Sequence, residues 1–367
     1  MGTEITEAPD RTVSPEIAPV RRFRVRDHYV VDREKVREFA RAVRNRHGAH
    51  RFEPDARKLG YESAIAPPTF STVIGTACIR DLLDTVLTEY DRSQLLQTEQ
   101  VFEIHRPILS GDSVHTELRI ESIRRYREND VIRIAFVLTD PRGEPIQTGS
   151  VTMTARRDTQ IDPNLAAAAA NVLARTRPSS LPPHELSTAR ASTFAHEPAA
   201  TREAPIGREA RTAYTTTAIA MEPAVPHTLP DLDALTPGLA LPTVTTTITR
   251  GDLVNYAGVT GDPNPIHFSE RAARAIGLPT VVAHGVFTMG LAVDHVTEWL
   301  GDPTAVRRIS VRFVGFVPVG SHAPTEVTFG ARVRSVDPTA RTATLALTAA
   351  CAGREVFGRA FVEVRLA

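Results

Sequence analysis

The chain has 367 residues, more than one hydrophobic core usually organises, so two domains are expected. Its 43 basic and 43 acidic residues cancel, which excludes bulk binding to nucleic acid or an anionic membrane surface and argues against a polyanionic substrate. Cys78 and Cys351 lie far apart in apolar surroundings and no Cys/His pair has metal-ligand spacing, so a reducing cytoplasm and no structural metal are expected.

The N-terminus lacks the apolar core of a signal peptide, and no apolar run approaches the roughly 20 residues of a membrane span. A soluble, cytoplasmic protein is the expectation. Residues 1–20 read as a loose polar leader. From Asp32, a plausible N-cap, the spacing of Val36, Phe39, Ala40 and Val43 predicts a helix, and Thr69 to about Leu87 predicts a second, more apolar one. Strand-like runs follow at Gln100–Arg106, Val114–Ile123, Val131–Thr139 and Ile146–Ala155. The last two are joined by the turn chemistry of Asp140-Pro-Arg-Gly143. Helices first and strands after is the order of an α+β domain, here residues 21–157. Residues 158–230 are rich in Ala, Pro, Ser and Thr and far exceed ordinary loop length, so they read as a linker; Asn164–Arg175 has the composition of a short helix.

Residues 231–367 repeat that order. Thr243–Thr249 is a short strand, Arg250–Gly258 and Ser269–Ile276 are helices, and Val286–Leu300 is a long buried helix. Strands are expected at Ile309–Val317, Pro324–Val336, Ala343–Ala350 and Val356–Leu366. A shift of 217 lays Phe39 on Tyr256, Gly60 on Gly277, Ala66 on Ala283 and His50 on His267. The same shift puts Asn45 on Asp262, Pro67 on His284 and Pro68 on Gly285. Asparagine exchanges no proton near neutral pH and proline has no N–H, so the first half keeps the fold and loses the chemistry.

The chemistry is concentrated in Tyr256-Ala-Gly-Val-Thr-Gly-Asp-Pro-Asn-Pro-Ile-His267 and His284-Gly285-Val-Phe-Thr-Met-Gly290. Asp262 and His267 sit five residues apart in a loop that Gly261, Pro263 and Pro265 keep from being a regular helix. Such a stiff loop can hold an acid and a base at fixed separation. Gly285 opens the buried helix, where free N–H groups and the positive dipole end suit an oxyanion. Tyr256-x3-Thr260-Gly261-Asp262-x-Asn264-Pro265-Ile266-His267-x5-Ala273 resembles the signature of the MaoC-like (R)-specific hydratase and dehydratase family. The run from Asp252 to Val314 resembles the catalytic subunit of the mycolic-acid-type (3R)-hydroxyacyl-[acyl carrier protein] dehydratase, and Phe23 to about Arg157 resembles its non-catalytic partner subunit.

The resemblance implies a double hot-dog fold, with the first unit non-catalytic and the second catalytic. It implies a hydro-lyase of fatty-acid elongation that dehydrates a (3R)-3-hydroxyacyl thioester to the trans-2-enoyl thioester; an (R)-specific enoyl-CoA hydratase and a non-catalytic acyl-binding protein are the alternatives. Asp262, His267 and Gly285 are the expected catalytic groups, and Tyr256, Asn264, His284 and Gly290 the expected substrate-binding ones. No cofactor or metal is expected. The expected partners are an acyl-ACP or acyl-CoA thioester, the acyl carrier protein and other elongation enzymes, with a homodimer left open.

Overall fold

The computed structural model describes residues 21–90, 95–126, 129–156, 186–188, 226–262 and 264–367. Asp32 caps the first helix as expected, its carboxylate accepting from the Glu34 and Lys35 N–H groups. The first half runs β1 (Arg21–Val25), β2 (Tyr29–Val30), α1 (Arg33–Ala42), α2 (Glu53–Arg57) and α3 (Ser71–Thr85). Four strands follow: β3 (Leu96–Ile104), β4 (Ser113–Tyr126), β5 (Asn129–Thr139) and β6 (Pro145–Arg156). Within the expected linker, β7 (Leu186–Thr188) comes back to pair with β1, Phe23 opposite Thr188. The helix expected at Asn164–Arg175 lies outside the described residues.

The second half runs β8 (Val244–Ile248), α4 (Arg250–Thr260), α5 (Glu270–Ala275), α6 (Gly285–Leu300) and β9 (Val306–Phe313). It ends with β10 (Thr325–Asp337), β11 (Thr342–Cys351), β12 (Arg354–Glu355) and β13 (Phe357–Arg365). Helix α6 buries 11 of its 16 residues, which is why its sequence is apolar nearly all round. It stops at Gly301, whose φ of 71° is the left-handed cap that glycine adopts without steric cost. No helix among the described residues is long and apolar enough to cross a membrane.

One antiparallel sheet unites the halves in the order β7-β1-β4-β5-β6-β3-β9-β13-β11-β10-β8. Counted outward from the β3–β9 junction, where Val101 faces Ser310, each half lays down its first, fourth, third and second long strand in turn. This is the expected α+β, double hot-dog arrangement, built twice about a local two-fold. The offset of 217 holds at the level of single hydrogen bonds. Asn45 N–H bonds Ala40 O as Asp262 N–H bonds Ala257 O, and Tyr61 N–H bonds Ala56 O as Leu278 N–H bonds Ala273 O. Gly60 and Gly277 turn the chain with φ of 84° and 87°. The offset breaks where Pro67 and Pro68 enter: α3 begins three residues later than the counterpart of Gly285 would, after turns closed by Phe70 N–H to Pro67 O and Thr72 N–H to Thr69 O.

Helices α1 and α4 pack across the two-fold, tied by Arg44 to Asp252 at 2.9 Å and to Thr246 at 2.6 Å. On α6, a Cβ at Gly290 would stand 2.9 Å from Val43 Cγ1, so glycine is what lets this helix approach the first half. One hydrophobic core consequently runs through both units.

Candidate active site

Helix α4 starts at a capping box in which the Thr249 hydroxyl and the Asp252 carboxylate exchange hydrogen bonds with each other's backbone N–H. It ends at Gly261 with φ of 73°, and the Asp262 N–H closes back on Ala257 O at 3.1 Å. Asp262 Oδ1 then accepts the Asn264 N–H at 3.0 Å, a turn typical of aspartate. Asn264 Oδ1 accepts the Ile266 N–H at 3.3 Å and caps a short 3-10 turn, Pro265–His267, with proline at its first position. Asp262 and His267 are thereby brought to one wall. Pro263 lies outside the described residues. Asn264 also reaches across the two-fold, donating from Nδ2 to Leu95 O at 3.2 Å.

His267 is buried, and its Nδ1–H donates to Val282 O at 2.7 Å. That bond fixes the tautomer and leaves Nε2 as a proton acceptor. Burial lowers the pKa of His267, against the opposing pull of the Asp262 carboxylate and the Val282 carbonyl, so the ring is neutral near neutral pH. His284 stacks on it, centroids 3.6 Å apart and planes 24° apart. Burial, and then His267, hold the His284 pKa well below the usual histidine value. Its Nε2 is 3.9 Å from Asp262 Oδ2, and neither ring nitrogen has a protein hydrogen-bond partner. Asp262, His267 and His284 bring potential metal-ligand atoms within 4.8 Å of one another. The face-to-face stack, however, sets the imidazole lone pairs side by side, whereas bonds of about 2.0–2.1 Å to a single ion need them to converge.

Gly285 is the first residue of α6, so its N–H has no intrahelical partner, and the His284 side chain does not cap it. A Cβ at this position would stand 3.1 Å from the Phe313 ring. The donor, the dyad and Asn264 all face one cavity of about 240 Å³. The second half adds Phe313, Phe316 and Val317, and much of the remaining wall comes from the first half. Phe102, Val151, Ile134, Phe136, Leu138 and Leu118 of β3, β6, β5 and β4 form one side, and Thr72, Gly75, Thr76, Ile79 and Leu83 of α3 the other. Three inter-strand spacings separate β3 from β4, so this strand wall is about 14 Å broad.

Two of the residues expected to bind substrate stand off the cavity wall. Tyr256 does not line the cavity; it is buried behind His284, ring centroids 4.9 Å apart, against Phe287 at 5.1 Å. Gly290 is the close-packing point against Val43, away from the cavity wall. Conversely, the sequence reading did not name Phe313, the Leu95 carbonyl or the β-strand wall. Those strands alternate like any sheet face over a core, and nothing in their residue types separates a cavity wall from solid packing.

The equivalent place in the first half is closed. His50 repeats the backbone anchor, Nδ1 to Ile65 O at 2.6 Å, but it is fully buried and burial drives its pKa down to about 3. Beside it Asn45 replaces the carboxylate, and Pro67 and Pro68 line a space of only about 10 Å³. His50→Ala is expected to leave turnover per folded molecule within about twofold, because no acid–base group is lost. Losing the buried hydrogen bond and the ring volume should lower stability by about 2 kcal/mol or more. Thermal unfolding read beside turnover separates the two effects.

Residues 236–350 match the family of the MaoC like domain, and residues 20–149 match the FAS1-like, dehydratase domain region. A solved MaoC-like dehydratase is 35% identical, with 95% of this chain and 98% of that one covered and a TM-score of 0.80. A UPF0336 protein of Mycobacterium tuberculosis (strain ATCC 25618 / H37Rv) is 33% identical over 150 residues, 40% of this chain and 90% of that protein. More distant structures share the fold. One is HtdX of Mycobacterium tuberculosis, 19% identical with a TM-score of 0.55 over 95% of this chain and 100% of that one. Another is a conserved hypothetical protein of the same organism described as having a double hotdogfold, 13% identical with a TM-score of 0.60 over 95% and 97%. With two hot-dog units, one keeping the Asp262–His267 pair beside Gly285 and the other closed by prolines, the chain belongs to the MaoC-like dehydratase family.

Proposed function

We propose that the protein is a (3R)-3-hydroxyacyl thioester dehydratase of fatty-acid elongation, acting on chains carried by acyl carrier protein. The observation that carries this reading is the joint placement of a neutral His267, Asp262 and the Gly285 N–H at the head of an apolar cavity. With the thioester oxygen at the start of α6, the Gly285 N–H and the helix dipole hold the negative charge that develops as C2 loses its proton. His267 Nε2 takes that proton and passes it to the 3-hydroxyl. The C3–O bond then breaks, water leaves, and the C2–C3 double bond forms. Asp262 accepts a hydrogen bond from the 3-hydroxyl and balances the imidazolium in transit. Both groups act from one wall, which makes the elimination syn. The acyl tail lies in the first half, between α3 and the β3–β6–β5–β4 face.

The test is to offer (3R)-3-hydroxyacyl chains on acyl carrier protein and on coenzyme A and follow the absorbance of the enoyl thioester. Faster turnover on the carrier protein supports the dehydratase reading. A clear preference for enoyl-CoA in the hydration direction would make the protein an (R)-specific hydratase, and no turnover on either carrier would refute both.

A further inference from the structure

Four residues stand abreast on the inward face of the first half's sheet: Leu118 on β4, Phe136 on β5, Gly149 on β6 and Phe102 on β3, each directly opposite the next. Gly149 is the gap in that row. Side chains ordinarily stand up from a sheet. Phe136 lies down instead: a Cβ at Gly149 would be 2.6 Å from its Cζ, well inside van der Waals contact, so the ring edge fills the place where a side chain at 149 would begin. There it meets Phe102 from the other side, edge to face, with centroids 5.9 Å apart and planes 68° apart. Two strand spacings, about 10 Å, separate the backbones that carry these rings, and the missing side chain between them lets the rings close up.

This row crosses the path of the acyl tail. Arg312 pairs with Glu99, and the next residue on β9 is Phe313, the ring beside Gly285, so the head of the cavity lies at the Leu95 end of β3. Asn264 bonds the Leu95 carbonyl at that same end. Along β3 from there, Gln100 comes first, with Val151 and Ile134 abreast of it. The Phe102–Phe136 row follows, about 10 Å past Glu99. Leu138 and Thr116, opposite each other, line the cavity beyond that row.

Resting on the reading of the cavity as an acyl channel, we propose that Phe136 and Gly149 together set how long a tail the protein accepts. With the ring laid into the space that Gly149 leaves, the tail passes over it to Leu138 and Thr116. With the ring upright, the channel ends at that row.

Binding of saturated, unreactive acyl-4′-phosphopantetheines, from butyryl to palmitoyl, tests this apart from turnover. In the wild type, affinity is expected to rise with chain length. Gly149→Ala denies the ring its place and should weaken the palmitoyl ligand by about 10- to 100-fold, the range for overpacking, with the butyryl ligand within about twofold. Adding Phe136→Ala to Gly149→Ala should bring the palmitoyl ligand back to within about threefold of wild type. A Cβ at 149 also crowds the Val101 carbonyl, so Phe136→Trp, which keeps the glycine, is measured in parallel. Its indole overfills the same space and should give the same selective loss on long ligands; it decides the matter if Gly149→Ala does not fold. Equal loss on short and long ligands, full palmitoyl affinity in Phe136→Trp, no recovery in a folded double variant, or no dependence on chain length in the wild type would each overturn the proposal. Turnover by the wild type is scored separately, so a protein that binds as described but dehydrates nothing refutes the proposed reaction and not this role of Phe136.

Discussion

Asp262→Asn and His267→Ala are each expected to lower turnover by about 10²- to 10⁴-fold, the usual contribution of a positioned acid–base group. Asparagine keeps an oxygen for the Asn264 N–H, which Asp262 Oδ1 accepts at 3.0 Å, so the loop should hold while the charge that balances the imidazolium disappears. His267→Ala removes the acceptor Nε2 and leaves the Val282 carbonyl without the donor it meets at 2.7 Å. Some stability is lost with it, and turnover must be read on protein shown to be folded. Retention of more than about half the wild-type rate by either folded variant would mean that the proton is moved elsewhere.

Gly285→Pro is the second large effect. Proline deletes the N–H directed at the thioester oxygen and is otherwise tolerated at a first helical position. It requires the preceding residue to be extended, and His284 already is, with φ −62° and ψ 134°. Loss of one oxyanion donor should lower turnover by about 10²- to 10³-fold. Gly285→Ala is the companion measurement. It brings a Cβ to 3.1 Å from Phe313 but keeps the N–H, so it should retain most of the activity that the proline variant loses. If alanine and proline were equally damaging, crowding of Phe313 rather than the missing donor would explain both.

The site was legible in the sequence to the extent that it is made of backbone devices. Gly261, Pro265 and Gly285 each answer a local demand: a left-handed turn, a helix start, a close approach. Those demands show in residue type without any knowledge of what surrounds them. The 217-residue offset was legible for the same reason, because Gly60 and Gly277 mark the same turn. The strand wall of the channel was not. Ile134 and Leu138 on β5 read as an ordinary inward face, and whether α3 rests on them or stands off to leave room is decided by packing at long range. Strand β1 was also missed, since in Arg-Arg-Phe-Arg-Val only Phe23 is fully buried. Strand β7 was missed within a stretch read as linker, because three residues give no periodicity and their partner lies more than 150 positions away.

The central claim is that one half performs the chemistry while the other holds the acyl tail, and a chain-length profile on Leu118→Trp tests it most directly. Leu118 lines the cavity from β4, which the sheet order sets four strands from β9 in the first half. A tryptophan there should fill the end of the channel. Activity on butyryl-length substrates should stay near the wild-type value, whereas kcat/KM on palmitoyl-length substrates should fall by about 10- to 100-fold, equivalent to the 1–3 kcal/mol typical of overpacking. Equal rates on long chains for variant and wild type, with short-chain activity intact, would show that the tail does not enter the first half and would contradict the account.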